Sequence, residues 1–299
     1  MSQVQTSFGI PVPHLDAPIT GTDYLSTVFS EEVTAGLLKA SRKRGPKIFS
    51  IQIASILVTC LRINPTPQDL YEQRIAVPHN PLNLRPVLSK NDSPEIVSAF
   101  GFNSLEVSDL LKYYPVKDDK ETISAVWSIA KDLQGQMVMQ KPWMYDTSKS
   151  APFVTKTVIE TAISSQQPYV VFCSLFFTPL NCSIPRPPLP LRLFSTMTNH
   201  GVLDHIVKHE YPIVNSQSSL KIVKTFFHCM TLELQPTLLP VALHAFTWDN
   251  KLHYSWSYSP THMGEEGGKN EEGPATLAKF IAELEKVTIL LSQDTVNLE

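Results

Sequence analysis

Apolar residues recur at helical spacing in some stretches of this chain and gather in short strand-like blocks in others. Val33, Leu37 and Ala40 fall on one helix face. Ser30 offers an N-cap ahead of them, Glu31 and Glu32 suit the first turn, and Gly45-Pro46 stops the helix. Ser50 caps a second helix through about Arg62, with Ile53, Ile56, Leu57 and Cys60 inward. That helix is apolar around much of its circumference, which predicts deep burial. A third runs from about Lys120 to Met139, with Ile123, Val126, Trp127, Ala130 and Leu133 on one face. Pro152 starts another, carrying Val154, Val158 and Ile159, and Pro274 opens a last one with Leu277, Phe280, Ile281, Leu284 and Val287 as its stripe.

Strand patterns lie at Tyr24 to Phe29 and Arg74 to Val77, then at 168–177, 191–198, 220–230, 238–248 and 251–258. Trp248-Asp249-Asn250-Lys251 reads as a tight hairpin turn, because Asp and Asn tolerate positive φ. Residues 1–22 carry Pro11, Pro13 and Pro18 without periodicity and read as an extended lead-in. The acidic, glycine-rich stretch at about 260–273 reads as a mobile loop, and no internal repeat is present. The order of elements predicts an α/β (α+β) fold, a mixed sheet flanked by helices, in one unit over residues 23–299.

Composition narrows the function classes. A net charge of −3 gives no general attraction to nucleic acid or to an anionic membrane. Arg42-Lys43-Arg44 ends the first helix and complements its C-terminal dipole. No run of apolar residues reaches the ~18 needed to span a bilayer, and Met1 to Gln5 lacks the basic and apolar regions of a secretory signal. Cys60, Cys173, Cys182 and Cys229 are scattered without a C-x-x-C, so free thiols in a reducing cytoplasm are expected. With only 11 glycines, loops that cradle nucleotides are not expected. Gly264 to Asn270 fails the phosphate-loop spacing, and its acidic neighbours would repel phosphate. G-x-S-x-G and H-E-x-x-H are both absent.

The histidines remain. His205 and His209 stand four apart and would share the face of an exposed helix end, but no third ligand is spaced to make a metal site, so none is expected. His228, His244 and His253 lie on strand patterns and read as hydrogen-bonded sheet histidines. His200 and Asp204 form an H-x-x-x-D. In a catalytic reading His200 closes a strand and removes a proton from a nucleophile, while Asp204 turns away and locks the loop. In a structural reading the five residues are a strand and turn that happen to spell the motif.

Several segments together resemble the chloramphenicol-acetyltransferase-like superfamily, which includes nonribosomal condensation domains, plant BAHD acyltransferases and fungal alcohol O-acetyltransferases. Phe29 to Gly45 resembles its "F-S-x-E-x-T-x-x-L-L-x-A-x-x-x-x-G" helix, and Pro81 to Pro86 is similar to its "N-x-R" segment. Thr198 to Asp204 resembles "S-N-x-G-x-x-D", and Thr247 to Leu252 resembles the late hairpin "T-W-x-G-K-L". Thr225 to Met230 lacks the aspartate and glycines of the BAHD D-F-G-W-G strand, which favours the fungal branch.

The resemblance covers about Tyr24 to Leu291 and matches the second of the family's two subdomains. The family's H-H-x-x-x-D-G base belongs to the first. It implies acyl transfer from acyl-CoA, as co-substrate and not as bound cofactor, to a hydroxyl of a small secondary metabolite. His200 is then the nameable base and His228 a distant second. It equally implies an alternative: a truncated or degenerate relative without catalysis, acting as a binding or partner subunit. An isolated second subdomain would expose the face that packs on its twin, so a homo-oligomer or a covering partner chain is expected.

Overall fold

The computed structural model describes residues 21–63, 75–83, 100–107, 110–148, 196–214, 216–226, 241–263 and 277–294. Most of the lead-in, the strand expected at 168–177, the helix expected from Pro152, most of the 260–273 loop and His228 lie outside these residues.

The described elements are β1 (Asp23–Val28), α1 (Glu31–Arg44), α2 (Ile48–Ile63), β2 (Ile75–Asn83), β3 (Phe100–Val107), α3 (Asp119–Ser148), β4 (Thr196–Val202), β5 (Glu210–Pro212), β6 (Ser219–Lys221), β7 (Val241–Trp248), β8 (Lys251–Tyr258) and α4 (Leu277–Gln293). Pro260–Met263 forms a single helical turn, so the stretch expected as loop begins with ordered backbone. A four-stranded sheet runs β1-β8-β7-β4. β4 is parallel to β7 and the other pairs are antiparallel, so the sheet is mixed, as the order of elements predicts. β2 pairs with β3, and β5 with β6, as separate two-stranded ribbons.

Register assigns the two faces of the sheet. Val241 lies opposite Tyr258, Leu243 opposite Trp256 and Ala245 opposite Tyr254, and all six are buried. Side chains alternate across a strand, so these six share one face. The helices cover that face. α1 and α2 pack on α4, and α2 packs on α3. Every residue of α2 from Ser50 to Leu61 is buried, as its all-round apolar pattern requires. Edge-to-face contacts run from Phe29 to Tyr254 (5.1 Å between ring centres), on to Trp256 (6.5 Å) and then to Phe280 of α4 (5.8 Å). Each such pair adds about 0.5–1.5 kcal/mol beyond the area it buries.

No single described helix is long and apolar enough to cross a membrane. α1 and α2 pass that test only as a pair bent by 102°, and α2 is buried in the core.

The helix ends follow sequence signals, with two departures. Ser30 caps α1, its hydroxyl accepting from Val33 N, and Gly45 closes it at φ +100°. Ser50 does not cap α2, which starts at Ile48. Its hydroxyl lies inside the helix and donates to Gln134 of α3 (3.0 Å). α3 continues past Met139, through Pro142, to Ser148. Arg44 does more than meet a dipole. It pairs with Asp294 (2.6 Å) and lies over the Trp127 ring, whose indole N–H donates to the same Asp294 (2.9 Å). At the opposite end of the helical layer Arg62 bonds Glu283 and Thr122.

α1 and α4 approach closely at Gly36, where a Cβ would sit 2.5 Å from the backbone oxygen of Ser292. Alanine is favoured over glycine by about 1 kcal/mol in a helix interior, but here that gain meets a backbone clash. Gly36→Ala is therefore expected to destabilise the protein by about 1–3 kcal/mol, measured as a lower urea midpoint with unchanged slope. A variant as stable as the parent would show that the two helices separate freely.

Candidate functional site

The second face of the sheet differs in chemistry from the helix-covered one. Register places Ser26, Ser255, His244 and Thr198 in one row across β1, β8, β7 and β4. Phe246 and Trp248 occupy the same face further along β7. They are buried in a small cluster with Leu203, against which Val207 and Ile222 pack.

Alternation along β4 places His200 on the same face as Thr198, where an irregularity in the strand begins. Regular pairing with β7 stops at Asn199 opposite Ala245 and resumes only at Val202 opposite Thr247. Gly201 takes φ +73° within this bulge, a conformation that a side chain resists. Asn199 points to the helical side, donating to Gln52 of α2 (2.7 Å) and accepting from Gly201 N (2.7 Å). Asn199 and Gly201 thus shape the bulge, and Leu203 anchors the 3₁₀ turn beyond it.

His200 Nε2 lies 3.1 Å from His244 Nδ1. The two rings are inclined by only 16° with centres 5.3 Å apart. That separation is close to the largest a 3.1 Å contact permits. The rings therefore meet end to end, nearly coplanar, with each nitrogen's lone pair or N–H directed at the other. Burial lowers the pKa of His200 below the ordinary histidine value, so its ring is neutral at neutral pH and can accept a proton. On the same face the His253 ring lies parallel to Phe246 (4.7 Å), and its pKa is also lowered, mainly by burial.

Asp204 serves a different partner. Its Oδ1 accepts from His209 Nε2 (2.5 Å) and from the backbone N–H of Asp249 (3.1 Å) in the β7–β8 turn. Partial burial raises its pKa, but these hydrogen bonds outweigh that effect and hold the carboxyl below the ordinary range. Asp204 turns away and fixes the loop, while the orienting contact to His200 comes from His244. His205 and His209 do not share a helix face. The 3₁₀ turn Leu203–His205 ends between them, His205 is exposed, and His209 stacks on Trp248 (4.1 Å).

The hairpin turn is as the sequence implies, with Asp249 at φ 51° and Asn250 at φ 58°. It is held from the helical side too. Phe29 N donates to Leu252 O (2.9 Å), and Leu252 N donates to the Thr34 hydroxyl (2.9 Å). Three of the motif segments named from sequence therefore meet at one hairpin.

Sequence reasoning passed over His244 as a catalytic partner, because pairing across parallel strands leaves no fixed spacing to read. Cys60 is fully buried, and burial pushes its thiol pKa well up, which makes it a poor nucleophile. Among the described residues no group of three or more His, Cys, Asp or Glu side chains is arranged to hold a metal ion.

No family model matches the chain, and no curated protein sequence is detectably similar to it. Solved structures are similar in fold. TRI3 trichothecene 15-O-acetyltransferase from Fusarium sporotrichioides superposes with a TM-score of 0.68 at 11% identity, over 95% of this chain and 49% of that one. The epimerization domain from the third module of tyrocidine synthetase B gives 0.52 at 10% identity, over 98% and 53%. PapA2 acyl transferase gives 0.50 at 11% identity, over 96% and 48%. The fold is thus the acyltransferase and condensation-domain fold that the superfamily resemblance implies. The chain spans about half the length of the structures it matches.

Asp204→Asn should remove about 1–3 kcal/mol of stability at neutral pH by weakening two hydrogen bonds to a partly buried acceptor. The native carboxyl has a depressed pKa, so its contribution is present above the unfolded-state value and disappears as pH falls through the folded-state value. The gap between parent and variant in urea titrations should therefore narrow below about pH 4. A gap that is constant with pH would overturn the assignment.

Proposed function

We propose that the protein is an acyltransferase that moves an acetyl or other acyl group from acyl-CoA to a hydroxyl of a small secondary metabolite, acting in the cytoplasm. The observation that carries this reading is a half-buried His200 whose pKa is lowered by burial. It is held by a second imidazole on the polar face of a sheet, in a fold shared with a 15-O-acetyltransferase. In the proposed reaction His200 takes the proton of the acceptor hydroxyl as its oxygen attacks the thioester carbonyl. The tetrahedral intermediate then collapses, the C–S bond breaks, and the imidazolium returns its proton to the departing CoA sulfur. Acyl-CoA enters as co-substrate. Asp204 stays out of the chemistry and holds the loop beyond the base.

A second reading draws on another observation. Ile206, Val214, Leu220, Val223 and Phe226 are exposed along the connection between β4 and β7. Exposed apolar side chains of this kind favour association, and they fit a non-catalytic binding or partner subunit.

Purified protein incubated with acetyl-CoA and a panel of alcohols should release free CoA. His200→Ala should slow that release by at least about a hundredfold. The rate should hold as pH falls through the ordinary histidine value of about 6.5 and decline only below it, because only the neutral ring can act as base. Release that survives His200→Ala would place the base elsewhere. No release from a protein that self-associates on a sizing column would favour the second reading.

A further inference from the structure

We propose that the outer edge of β6 is a self-association site, where a second copy of this chain adds its own β6 antiparallel and the two ribbons become one four-stranded sheet across a two-fold axis. This inference rests on the association reading above and gives that reading a seat. It does not depend on whether the chain is catalytic.

The ribbon's own hydrogen bonds decide which backbone groups are left over. Ile222 N donates to His209 O (2.9 Å), and Ile213 N donates to Ser218 O (3.1 Å). Both bonds fit the register that sets Glu210 opposite Lys221, Tyr211 opposite Leu220 and Pro212 opposite Ser219. Bonded and non-bonded pairs alternate along an antiparallel ladder, so Tyr211 and Leu220 form the bonded pair between those two. The backbone groups of Glu210, Pro212, Ser219 and Lys221 therefore point away from the ribbon. Pro212 has no N–H to offer, which blunts the β5 edge. The β6 edge keeps both donors and both acceptors, and none of the four is bonded among the described residues. All six residues of β5 and β6 are exposed, and a two-stranded ribbon alone is marginal in water, so added strands stabilise it.

The side chains suit a second copy. A strand that pairs with itself about a two-fold axis must match its own sequence in reverse. The register that pairs all three residues of β6 sets Lys221 against Ser219 of the second copy and Leu220 against Leu220, on the axis. Each Lys221 then has Glu210 of its own ribbon on one side and a neutral serine on the other. The hydroxyl of that serine is already given to its own Glu210. A slide that brings Lys221 against Lys221 would oppose like charges directly. On the other face the favoured register makes an unbroken row across four strands, Tyr211, Leu220, Leu220 and Tyr211. The two Leu220 residues form a close, non-bonded pair, with about 4.5 Å between Cα atoms. Leu220 is 64% exposed in the single chain, so this row has apolar surface to gain. The same pairing runs each tip, with its exposed Val214, toward Val223 of the other copy, which is 92% exposed.

Sedimentation velocity of the full chain from about 1 to 200 μM is the test. Short strands make an interface of the weak class, below about 1,200 Å², so the parent should pass from monomer to dimer within that range. Lys221→Pro removes an outward N–H without touching the ribbon's own bonds, and Leu220→Asp sets two carboxylates on the axis. Each should raise the dissociation constant at least about tenfold, with circular dichroism and urea midpoint as in the parent. Leu220→Cys reads the register even where proline unsettles the ribbon. Under mild oxidation it should cross-link two chains, whereas Lys221→Cys should not, with the parent and its native cysteines as control. A parent that stays monomeric throughout, or a Leu220→Cys variant that fails to cross-link, would sink the proposal. A dimer indifferent to Lys221→Pro and Leu220→Asp would sink it too, and would leave the association reading standing on another surface.

Discussion

The β7–β8 turn is the constraint on which the rest of this structure depends. Asp249 and Asn250 supply the left-handed backbone that a two-residue turn requires, but such a hairpin is marginal by itself. It is clamped from two directions. The Asp204 carboxylate takes the Asp249 N–H on one side, and Phe29 and Thr34 satisfy both backbone groups of Leu252 on the other. A slip of one residue in the pairing of β8 with β7 would turn the side chains of β8 to the opposite face. Trp256 and Tyr254 would leave the core, and His253 would enter it. The clamp thus sets which side chains of β8 the helices cover.

Much of this was legible where the signal is local. Ser30, Glu31 and Glu32 announce the start of α1, and Gly45 its end. The all-round apolar character of α2 announces its burial. Asp249-Asn250 announces the turn. The failures share a cause, which is that tertiary partners overrule local preference. Ser50 resembles a cap, but Gln134 of α3 takes its hydroxyl inside the helix. His205 and His209 have helical spacing, but the turn ends at His205, and His209 stacks on Trp248 and bonds Asp204 instead. The candidate site divides in the same way. The turn and loop role of Asp204 could be read from the chain, while the pairing of His200 with His244 depends on a parallel crossover that spans 44 residues of sequence.

The seven residues from Thr198 to Asp204 therefore divide their duties. Asn199 ties the strand to α2, Gly201 makes the bulge, Leu203 fills the small cluster and Asp204 secures the hairpin. His200 lies on the polar face, two residues on from Thr198. A motif that spells a base and its anchor is resolved into a framework and one chemically versatile ring. The anchor works on the framework, and a residue from another strand attends the ring.

The close approach of α1 and α4 at Gly36 and Ser292 has a consequence for how the protein is made. β1 pairs with β8, and α1 rests on α4, so the first described elements find their partners only after residues 251–294 have been synthesised. Until then α2, buried over nearly its whole length in the finished fold, has no sheet to cover it. Such long-range closure slows folding and leaves apolar surface exposed on the nascent chain. The yield of this protein in a cell should accordingly depend on how well chaperones shield α2 during translation.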